Sequence, residues 1–276
     1  LPTELWYQKA KANILILNKA LFKCFCNFIK RCSMNLVIDI GNSRIKLFLF
    51  KNDKISFYKI CKHDEFVKTL TTIPNKEKII NIISSTVSTN YDDVIQANFK
   101  NSNFFQLSNK HLKLPFQNNY KTLNSLGQDR IALVSSAVYK YPNSNNLIID
   151  VGTCITYDFI DSKNIYYGGA ISPGINLRYS SLNDHTSNLP LLEFKEMDSL
   201  IGSNTEESIH AGIYNGVIAE INDHIQKLLK DYPDLNAVIT GGYSKFLLNR
   251  IKNAIFADQD FIAIGLNHII NYNENR

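Results

Sequence analysis

The sequence has too few cysteines, in the wrong places, for a disulfide-stabilised or zinc-binding protein. It contains five among 276 residues, an odd number. Cys24, Cys26 and Cys32 lie within the first 33 residues, whereas Cys61 and Cys154 stand far apart in the rest of the chain. No two CxxC motifs, and no such motif with a histidine pair, have the spacing of a structural zinc site. We therefore expect a reducing compartment, the cytoplasm.

An excess of charge of one sign is also missing from most of the chain. The formal net charge is +5, with 30 Lys and Arg against 25 Asp and Glu. Residues 1–33 hold six of the basic residues and a single acid, Glu4, so the rest of the chain carries 24 charges of each sign. Equal numbers of positive and negative charges from Met34 onward do not favour a polyanionic partner. We expect no nucleic acid among the partners.

Residues 1–33 form a basic leading segment without a long uninterrupted apolar run. The segment is too charged to span a membrane, and it lacks the cleavage site of a secretory signal. Met34 is followed at once by a strand pattern. We expect an extension that is not part of the native fold, with no membrane partner. The alternative is an amphipathic helix for a membrane surface or a partner, since its apolar residues recur at helical spacing: Ile14, Leu17, Leu21, Phe25 and Phe28.

The chain from Met34 onward contains an internal repeat of strand and helix patterns. Short β-rich runs separated by turn residues predict strands, and longer periodic stretches predict helices. The first copy has strands 36–40, 45–50, 55–60 and 78–84, with helices at 63–70 and 128–141. The second copy has strands 147–151, 155–160, 165–167 and a final one at 237–240, with a helix at 205–230. We expect two domains, 34–145 and 146–276, with a cleft between them.

Each copy opens with an aspartate at the end of its first strand. Asp39 begins the run DIGNSRIK, and Asp150 begins DVGTCIT 111 residues later. The glycine two residues after each aspartate permits backbone N–H groups to approach a phosphate closely. The carboxylate can hold a hydrated Mg²⁺, while Lys46 or the amides of Asn42 and Ser43 balance the phosphate charge. Two such hairpins predict a pair of phosphate clamps.

Further motifs follow in a fixed order, and the ordered set carries a family resemblance. They are Tyr120, LGQDR at 126–130, GGAISPG at 168–174, LP at 189–190, GSNT at 202–205 and TGG at 240–242. The twin hairpins resemble those of acetate and sugar kinases, actin and heat-shock ATPases. The whole set resembles type III pantothenate kinases from Met34 to the C-terminal helix. The resemblance implies an α/β fold of duplicated ribonuclease H-like (actin-like ATPase) domains with an interdomain cleft.

The resemblance also implies an activity and a set of site residues. The activity is phosphorylation of pantothenate by ATP with Mg²⁺, the first step of coenzyme A synthesis, by a homodimer. Asp129 matches the proton acceptor, and Asp150 matches the ligand of a monovalent cation, K⁺ or NH₄⁺. The ATP-binding positions are Asp39, Ile40, Gly41, Asn42, Ser43, Arg44, Ile45, Lys46 and Thr153. The substrate-binding positions are Tyr120, Gly127, Gln128, Asp129, Arg130 and Thr205.

Chemistry gives the same residues roles without the family name. Phosphoryl transfer has a loose transition state, so the protein mainly positions groups and neutralises charge. Asp129 needs only to orient a hydroxyl and accept its proton late, and Arg130 offers planar donors for a carboxylate or carbonyl. Glycines 168–169 and 174 are expected in a loop and helix start that line the cleft. The six histidines show no metal-ligand spacing.

Two other functions remain open from the residues. One is a sugar kinase of the same superfamily; relatives of sugar-responsive repressors would carry a clustered Cys and His zinc motif, which is absent. The other is a nucleotide-binding accessory protein without turnover, against which the intact Asp39, Asp129, Asp150 and Thr153 argue. Fold alone does not decide between them.

The charge distribution gives a first prediction, because residues 1–33 account for the whole net charge and precede the first strand pattern. A chain that begins at Met34 is expected to keep full kinase activity, measured as ADP formed per enzyme against the full chain. A truncated chain that is inactive or insoluble would show that the leading segment is a working part of the enzyme.

Overall fold

The computed structural model describes residues 33–107, 112–122, 125–257 and 260–274. The leading segment therefore lies outside the described residues, except for Ser33. Within the described residues the strands form two sheets, one of five strands and one of six. Apolar strand residues and helices fill both faces of the sheets, which explains the nearly continuous apolar runs in the central strands.

The first sheet begins with the antiparallel meander that the sequence predicts. Its strands are β1 (Met34–Ile40), β2 (Ile45–Lys51), β3 (Lys54–Cys61), β4 (Ile79–Thr86) and β5 (Asn103–Gln106), in the order β3-β2-β1-β4-β5. β4 lies parallel to β1, and β5 lies parallel to β4. The helices α1 (Phe66–Thr71) and α2 (Asp92–Asn98) connect these strands. The C-terminal ends of β1 and β4 consequently meet at one edge of the sheet.

One strand of the second sheet precedes helix α3 (Gln128–Lys140) in the chain, and the other five follow it. Its strands are β6 (Gln117–Asn118), β7 (Asn146–Val151), β8 (Cys154–Ile160), β9 (Ile165–Pro173), β10 (Asn236–Thr240) and β11 (Ala254–Phe256). They are ordered β11-β10-β7-β8-β9-β6. The helices of this half are α4 (Ile175–Asp184), the long α5 (Thr205–Asp231) and α6 (Phe261–Glu274).

The two sheets repeat one topology, which confirms the duplicated α/β fold. The order β3-β2-β1-β4-β5 matches β9-β8-β7-β10-β11 strand for strand, and β6 is an addition beside β9. In both sheets the first three strands are antiparallel and the fourth is parallel to the first. β1 and β7 are therefore equivalent, and so are the aspartates near their ends.

Two expectations about the second half are wrong in detail. β9 continues to Pro173 instead of ending at 167, so Gly168 and Gly169 belong to a strand and not to a loop. The strand persists because Gly169 packs against the backbone of Tyr157, where a Cβ would overlap the peptide group, and Gly168 adopts a positive φ of 103°. β10 is not the final strand, since β11 pairs with it in parallel.

Helices α3 and α6 cross in close contact and join the two sheets. A Cβ at Gly265 of α6 would overlap the carbonyl oxygen of Ala132 in α3 and would lie 2.8 Å from the Ser136 nitrogen. Only glycine lets the two helix backbones approach this closely. The short distance between the two helices at this crossing therefore depends on Gly265.

A chain of amide hydrogen bonds ties α6 to the first sheet. Asn35 Nδ2 in β1 donates to Asn267 Oδ1 at 2.8 Å, and Asn267 Nδ2 donates to Asp53 Oδ1 at 2.8 Å. A helix from the end of the chain therefore packs on the N-terminal sheet. The division at 145/146 stays a prediction, with α6 reaching across it. None of the helices in the described ranges is long and apolar enough to cross a membrane.

Candidate active site

Three aspartates from three different elements face one another between the sheets. Asp39 lies near the end of β1, Asp150 near the end of β7, and Asp129 in the first turn of α3. Burial raises the pKa of Asp150 to about 7, and the charges of Asp129 and Asp39 add to the rise. Burial also raises the pKa of Asp39, with Lys46 opposing and Asp129 reinforcing the shift. The effect of their charges on one another indicates that the three carboxylates are neighbours in one crevice.

One backbone hydrogen bond closes the loop of the first hairpin. Gly41 N donates to Arg44 O at 3.1 Å, and Asp39 stands opposite Lys46 in the β1–β2 register, with their side chains 3.6 Å apart. Asn42, Ser43 and Arg44 are exposed at the tip. The loop therefore offers backbone amides and polar side chains toward solvent at the mouth of the crevice.

Two of the predicted ATP-binding residues contribute backbone only. The side chains of Ile40 and Ile45 are 1% and 0% exposed and belong to the core of the first sheet. They flank the loop and fix its ends by packing. Any contact between these residues and a ligand must come from their peptide groups.

In the second hairpin, as in the first, the glycine N–H closes the turn, here one residue tighter. Gly152 N donates to Cys154 O at 3.0 Å, and Thr153 is exposed at the tip. Gly174, at the start of α4, donates its N–H to Thr153 O at 3.0 Å. A Cβ at Gly174 would overlap the carbonyl oxygens of Gly152 and Thr153. The glycine after Pro173 thus brings the start of α4 against the second hairpin, which the sequence anticipates only as a cleft-lining helix start.

Asp150 lies beside oxygen atoms that suit a cation. The carboxylate packs against Gly241, whose φ is 100° and where a Cβ would overlap Asp150 Oδ1 and lie 2.6 Å from Val151 O. Thr156 is the cross-strand partner of Asp150, and its buried Oγ1 has no hydrogen-bond partner among the described residues. A carboxylate, a carbonyl and an unsatisfied hydroxyl oxygen are a donor set that a monovalent cation accepts.

A similar unsatisfied hydroxyl stands beside the first aspartate. Ser85 pairs with Asp39 in the β1–β4 register, and its buried Oγ also has no partner within the described part of the chain. No group of three or more His, Cys, Asp or Glu side chains in the described ranges is placed to hold a metal ion. The residues present fit a divalent ion that is carried on phosphate oxygens and held by one or two carboxylates.

The start of α3 positions Asp129 and Gln128 differently. Gly127 is the N-cap, and a Cβ there would overlap Asp129 Oδ1, so glycine leaves room for the carboxylate. Asp129 Oδ1 accepts a hydrogen bond from Arg130 N at 2.8 Å, which leaves its other oxygen available. Gln128 Oε1 accepts from Thr86 N, at the end of β4, at 2.9 Å. Gln128 therefore joins α3 to the first sheet, and its amide nitrogen remains for a ligand.

Arg130 is buried, and the carboxylate that its planar donors meet belongs to the protein itself. Its Nε donates to Asp158 Oδ1 at 2.8 Å and its Nη2 lies 2.7 Å from the same oxygen. Tyr166 Oη donates to that oxygen as well, at 2.6 Å. The guanidinium carbon lies 5.5 Å from the ring centre of Tyr120. Arg130 and Tyr120 are thus brought together, with the Tyr120 ring packed against Gly168.

Asp158 is the residue of this site that sequence reasoning missed. It is 0% exposed, and burial raises its pKa while Arg130 and Tyr166 act to lower it. A signal was present: an aspartate in the middle of the apolar run ITYDFI is rare unless the charge is paired. The run indicates a buried partner for a cation, but it does not say which one.

Thr205 is the predicted site residue that the described contacts leave apart. It is exposed at the first position of α5, after the N-cap Asn204, whose side chain accepts from Glu207 N. Glu207 in turn accepts from Ser203 N at 2.8 Å. Within the described residues no hydrogen bond joins this turn to the three aspartates. Its role in substrate binding stays a prediction.

Comparison with known proteins identifies the family. The family model described as type III pantothenate kinase matches residues 35–227. A type III pantothenate kinase of Flavobacterium psychrophilum is 39% identical over 87% of this chain and 99% of its own length. One from Christiangramia forsetii is 42% identical over 88% of this chain and 100% of its own.

Solved structures agree on the architecture. A Campylobacter jejuni protein assigned as a Baf family transcriptional activator has a TM-score of 0.55 and 27% identity, over 87% of this chain and 100% of its own. A Listeria monocytogenes protein assigned as an N-acetylmannosamine kinase has a TM-score of 0.52 at 11% identity, over 87% and 99%. The second likeness shows the fold alone.

The raised pKa of Asp150 gives a pH-dependent prediction for the ligand-free protein. Its pKa is about 7 when folded against an ordinary value of 3.8, so ionisation between these pH values destabilises the folded state. Asp150→Asn is therefore expected to raise the thermal midpoint at pH 8 clearly more than at pH 5, while it abolishes turnover. Thermal unfolding at both pH values, without potassium, ammonium or ATP, measures this. Equal shifts at the two pH values would contradict a carboxylate that resists ionisation.

Proposed function

We propose that the three facing aspartates are the reaction centre of a kinase. The chain belongs to the type III pantothenate kinase family, and it phosphorylates pantothenate with ATP in the synthesis of coenzyme A. The observation that carries the proposal is that the charges of two of these aspartates act on the third, which is buried. Asp129 and Asp39 both raise the pKa of Asp150 although the three residues come from different elements. A crevice with several carboxylates is stable when cations and the groups they carry occupy it.

The two hairpins bind the triphosphate. Their glycines keep the loops short, and the amides at 42–44 and at Thr153 supply hydrogen-bond donors without a side chain's conformational freedom. Lys46 adds a positive charge beside Asp39. This division leaves Asp39 to face the divalent ion that accompanies ATP, which neutralises charge on the phosphates when bound.

Asp129 is the proton acceptor for the pantothenate hydroxyl. Its Oδ1 is fixed by Arg130 N, and the start of α3 holds it toward Asp39 and Asp150. One carboxylate oxygen therefore remains to orient the hydroxyl toward the γ-phosphorus and to take its proton as the new bond forms.

Arg130 and Tyr120 form one wall of the pantothenate site. Asp158 holds the Arg130 guanidinium through Nε, so the buried pair fixes the face that Arg130 presents to Tyr120. Tyr120, Gly127 and Gln128 line the same side of the crevice as Asp129. Arg130 acts mainly by positioning these groups, because its Nε hydrogen bond and its ion pair are both made with Asp158.

Asp150 is the ligand of the monovalent cation, K⁺ or NH₄⁺. The carbonyl of Val151 and the unsatisfied hydroxyl of Thr156 support this assignment, since they supply oxygen donors around the carboxylate. When bound, such a cation removes the charge repulsion among the aspartates. Residues Asp39 and Asp129 are then free to act on the substrates.

We also propose a cytoplasmic location. The supporting observation is that Cys61 and Cys154, the two cysteines in the described ranges, are both free thiols. Fractionation of cells for this activity would place it elsewhere if the proposal is wrong.

The substrate assignment is tested by ADP release. Purified protein with ATP and Mg²⁺ is expected to form ADP only when pantothenate is added, with strong stimulation by K⁺ or NH₄⁺ over Na⁺. ADP formed without pantothenate but on addition of a hexose would favour a sugar kinase instead. ATP binding without any turnover would indicate the accessory protein.

The role of Asp129 is tested in the same assay. Asp129→Asn keeps the shape and the hydrogen bond from Arg130 N but removes the base, so kcat is expected to fall about 10²- to 10⁴-fold. The KM for ATP should change little, which separates the loss from a collapse of the phosphate site. A fall in kcat of less than tenfold would exclude Asp129 as the proton acceptor.

We propose that the protein is a homodimer that buries the segment between α4 and α5. Leu191, Leu200 and Ile201 are 65%, 78% and 83% exposed there, and exposed apolar clusters of this kind mark interfaces. The combined change Leu200→Ser and Ile201→Ser is expected to shift a dimer to monomer in sedimentation velocity. Val67→Ser, at a half-exposed valine of α1, is the matched control. A wild-type monomer, or a dimer that survives both changes, would refute this surface.

A further inference from the structure

His63 lies against the first phosphate loop, although nothing in its sequence context distinguishes it from the other histidines. It follows β3, just before α1. Its Nε2 is 3.0 Å from Gly41 O, and its Nδ1 is 3.2 Å from the hydroxyl oxygen of Tyr91. The hydroxyl of Ser88, from the loop after β4, donates to the same Gly41 oxygen at 3.1 Å. Two side chains from separate loops therefore hold one carbonyl group.

The hydrogen bonds define the tautomer of His63. A carbonyl oxygen only accepts, so Nε2 must carry the hydrogen that it donates to Gly41 O. In the neutral ring Nδ1 is then an acceptor, and the Tyr91 hydroxyl donates to it. The tilted ring of Tyr91, 4.8 Å from that of Phe66, fixes the hydroxyl in the core of this half. The hydrogen bond from Tyr91 to Nδ1 therefore orients the imidazole with Nε2 toward Gly41 O.

Fixing the Gly41 carbonyl also fixes the amide that follows it. In a trans peptide the C=O of Gly41 and the N–H of Asn42 point in opposite directions. The carbonyl points at His63 and Ser88, so the Asn42 N–H points to the opposite side of the peptide, away from these two side chains. The Gly41 N–H is already used by Arg44 O. The Asn42 amide is therefore the first free donor of the loop.

We propose that His63, supported by Ser88, is a positioning residue for ATP binding, which it favours by holding the Gly41–Asn42 peptide with its N–H toward the phosphates. Without these two donors the peptide can rotate, and the carbonyl oxygen can face the triphosphate and repel it. The inference rests on the proposed role of this loop in binding ATP. It assigns no contact between His63 and either substrate.

A structural role for His63 makes a different prediction from a positioning role. If the ring only packs against Tyr91, its removal lowers stability and affects both substrates alike. If it orients the peptide, the loss is confined to the nucleotide. In the described part of the chain, Arg130 and Tyr120 make contacts with Asp158, with each other and with Gly168, and none of these residues belongs to this loop.

The test compares four single variants. His63→Ala removes the donor, and His63→Gln restores one, because its amide nitrogen reaches the position of Nε2. Ser88→Ala removes the second donor. Ser102→Ala is the matched control, since Ser102 Oγ donates to a backbone carbonyl, Ile79 O, at 2.6 Å at the opposite end of β4. Each variant is measured for steady-state KM of both substrates, for binding of a non-hydrolysable ATP analogue by calorimetry, and for thermal midpoint.

His63→Ala and Ser88→Ala are each expected to raise the KM for ATP and the dissociation constant of the analogue about three- to tenfold, the loss of one hydrogen bond. The KM for pantothenate should stay within about twofold of wild type. His63→Gln should recover most of the affinity, and Ser102→Ala should show no nucleotide effect. Unchanged analogue binding in His63→Ala would overturn the inference, and so would equal changes for both substrates.

The same measurements separate this inference from the proposed function. Wild-type protein that forms no ADP with pantothenate but still loses analogue affinity in His63→Ala would refute the substrate and keep the role of the loop. Wild-type protein that turns over pantothenate with His63→Ala unaffected would keep the function and refute the inference. If His63→Ala does not fold, Ser88→Ala and His63→Gln decide the question.

Discussion

The structure depends on holding three carboxylates together in a crevice where water cannot fully screen them. Burial and mutual repulsion raise the pKa of Asp150 to about 7, so the ligand-free fold is destabilised by its own site. Carboxylates in this position are tolerated when cations offset them. Ser85 and Thr156 are the cross-strand neighbours of Asp39 and Asp150, the two strand-end aspartates. Their buried hydroxyl groups also lack hydrogen-bond partners among the described residues. A cation bound among these oxygens would offset the repulsion between the carboxylates.

Much of the fold was predictable because local and global signals agree. The hairpins around Gly41 and Gly152 have strand patterns separated by turn residues, and they begin two copies of the same order of strands and helices. All three features predict the same sheet. The errors are instructive: β9 runs on through Gly168 and Gly169, which a local rule assigns to a loop. The strand is maintained by pairing with β8 and by the close approach to Tyr157, and neither can be read from neighbouring residues.

The strand-end carboxylates of the site were predictable from the sequence, but the buried residues that support the site were much less so. A charged residue that follows an apolar strand shows itself in the sequence, as Asp39 and Asp150 do. Partners such as Asp158 and His63 depend on which elements the fold brings together. Arg130 and Asp158 are 28 residues apart, and His63 and Gly41 are 22 apart. No periodic pattern encodes these pairs, so the burial of Arg130 was not foreseen.

The distance between the two aspartate hairpins, β1–β2 and β7–β8, depends on contacts outside the hairpins themselves. Both hairpins are rigid parts of their own sheets, so their separation depends on how the sheets are joined. The closest joint is the crossing of α3 and α6, where Gly265 has no space for a Cβ beside Ala132. α3 also carries Asp129 at its other end, and Gln128 ties that end to β4. One helix therefore joins the two sheets and also carries Asp129 between them, so any movement of the sheets about this joint also moves Asp129.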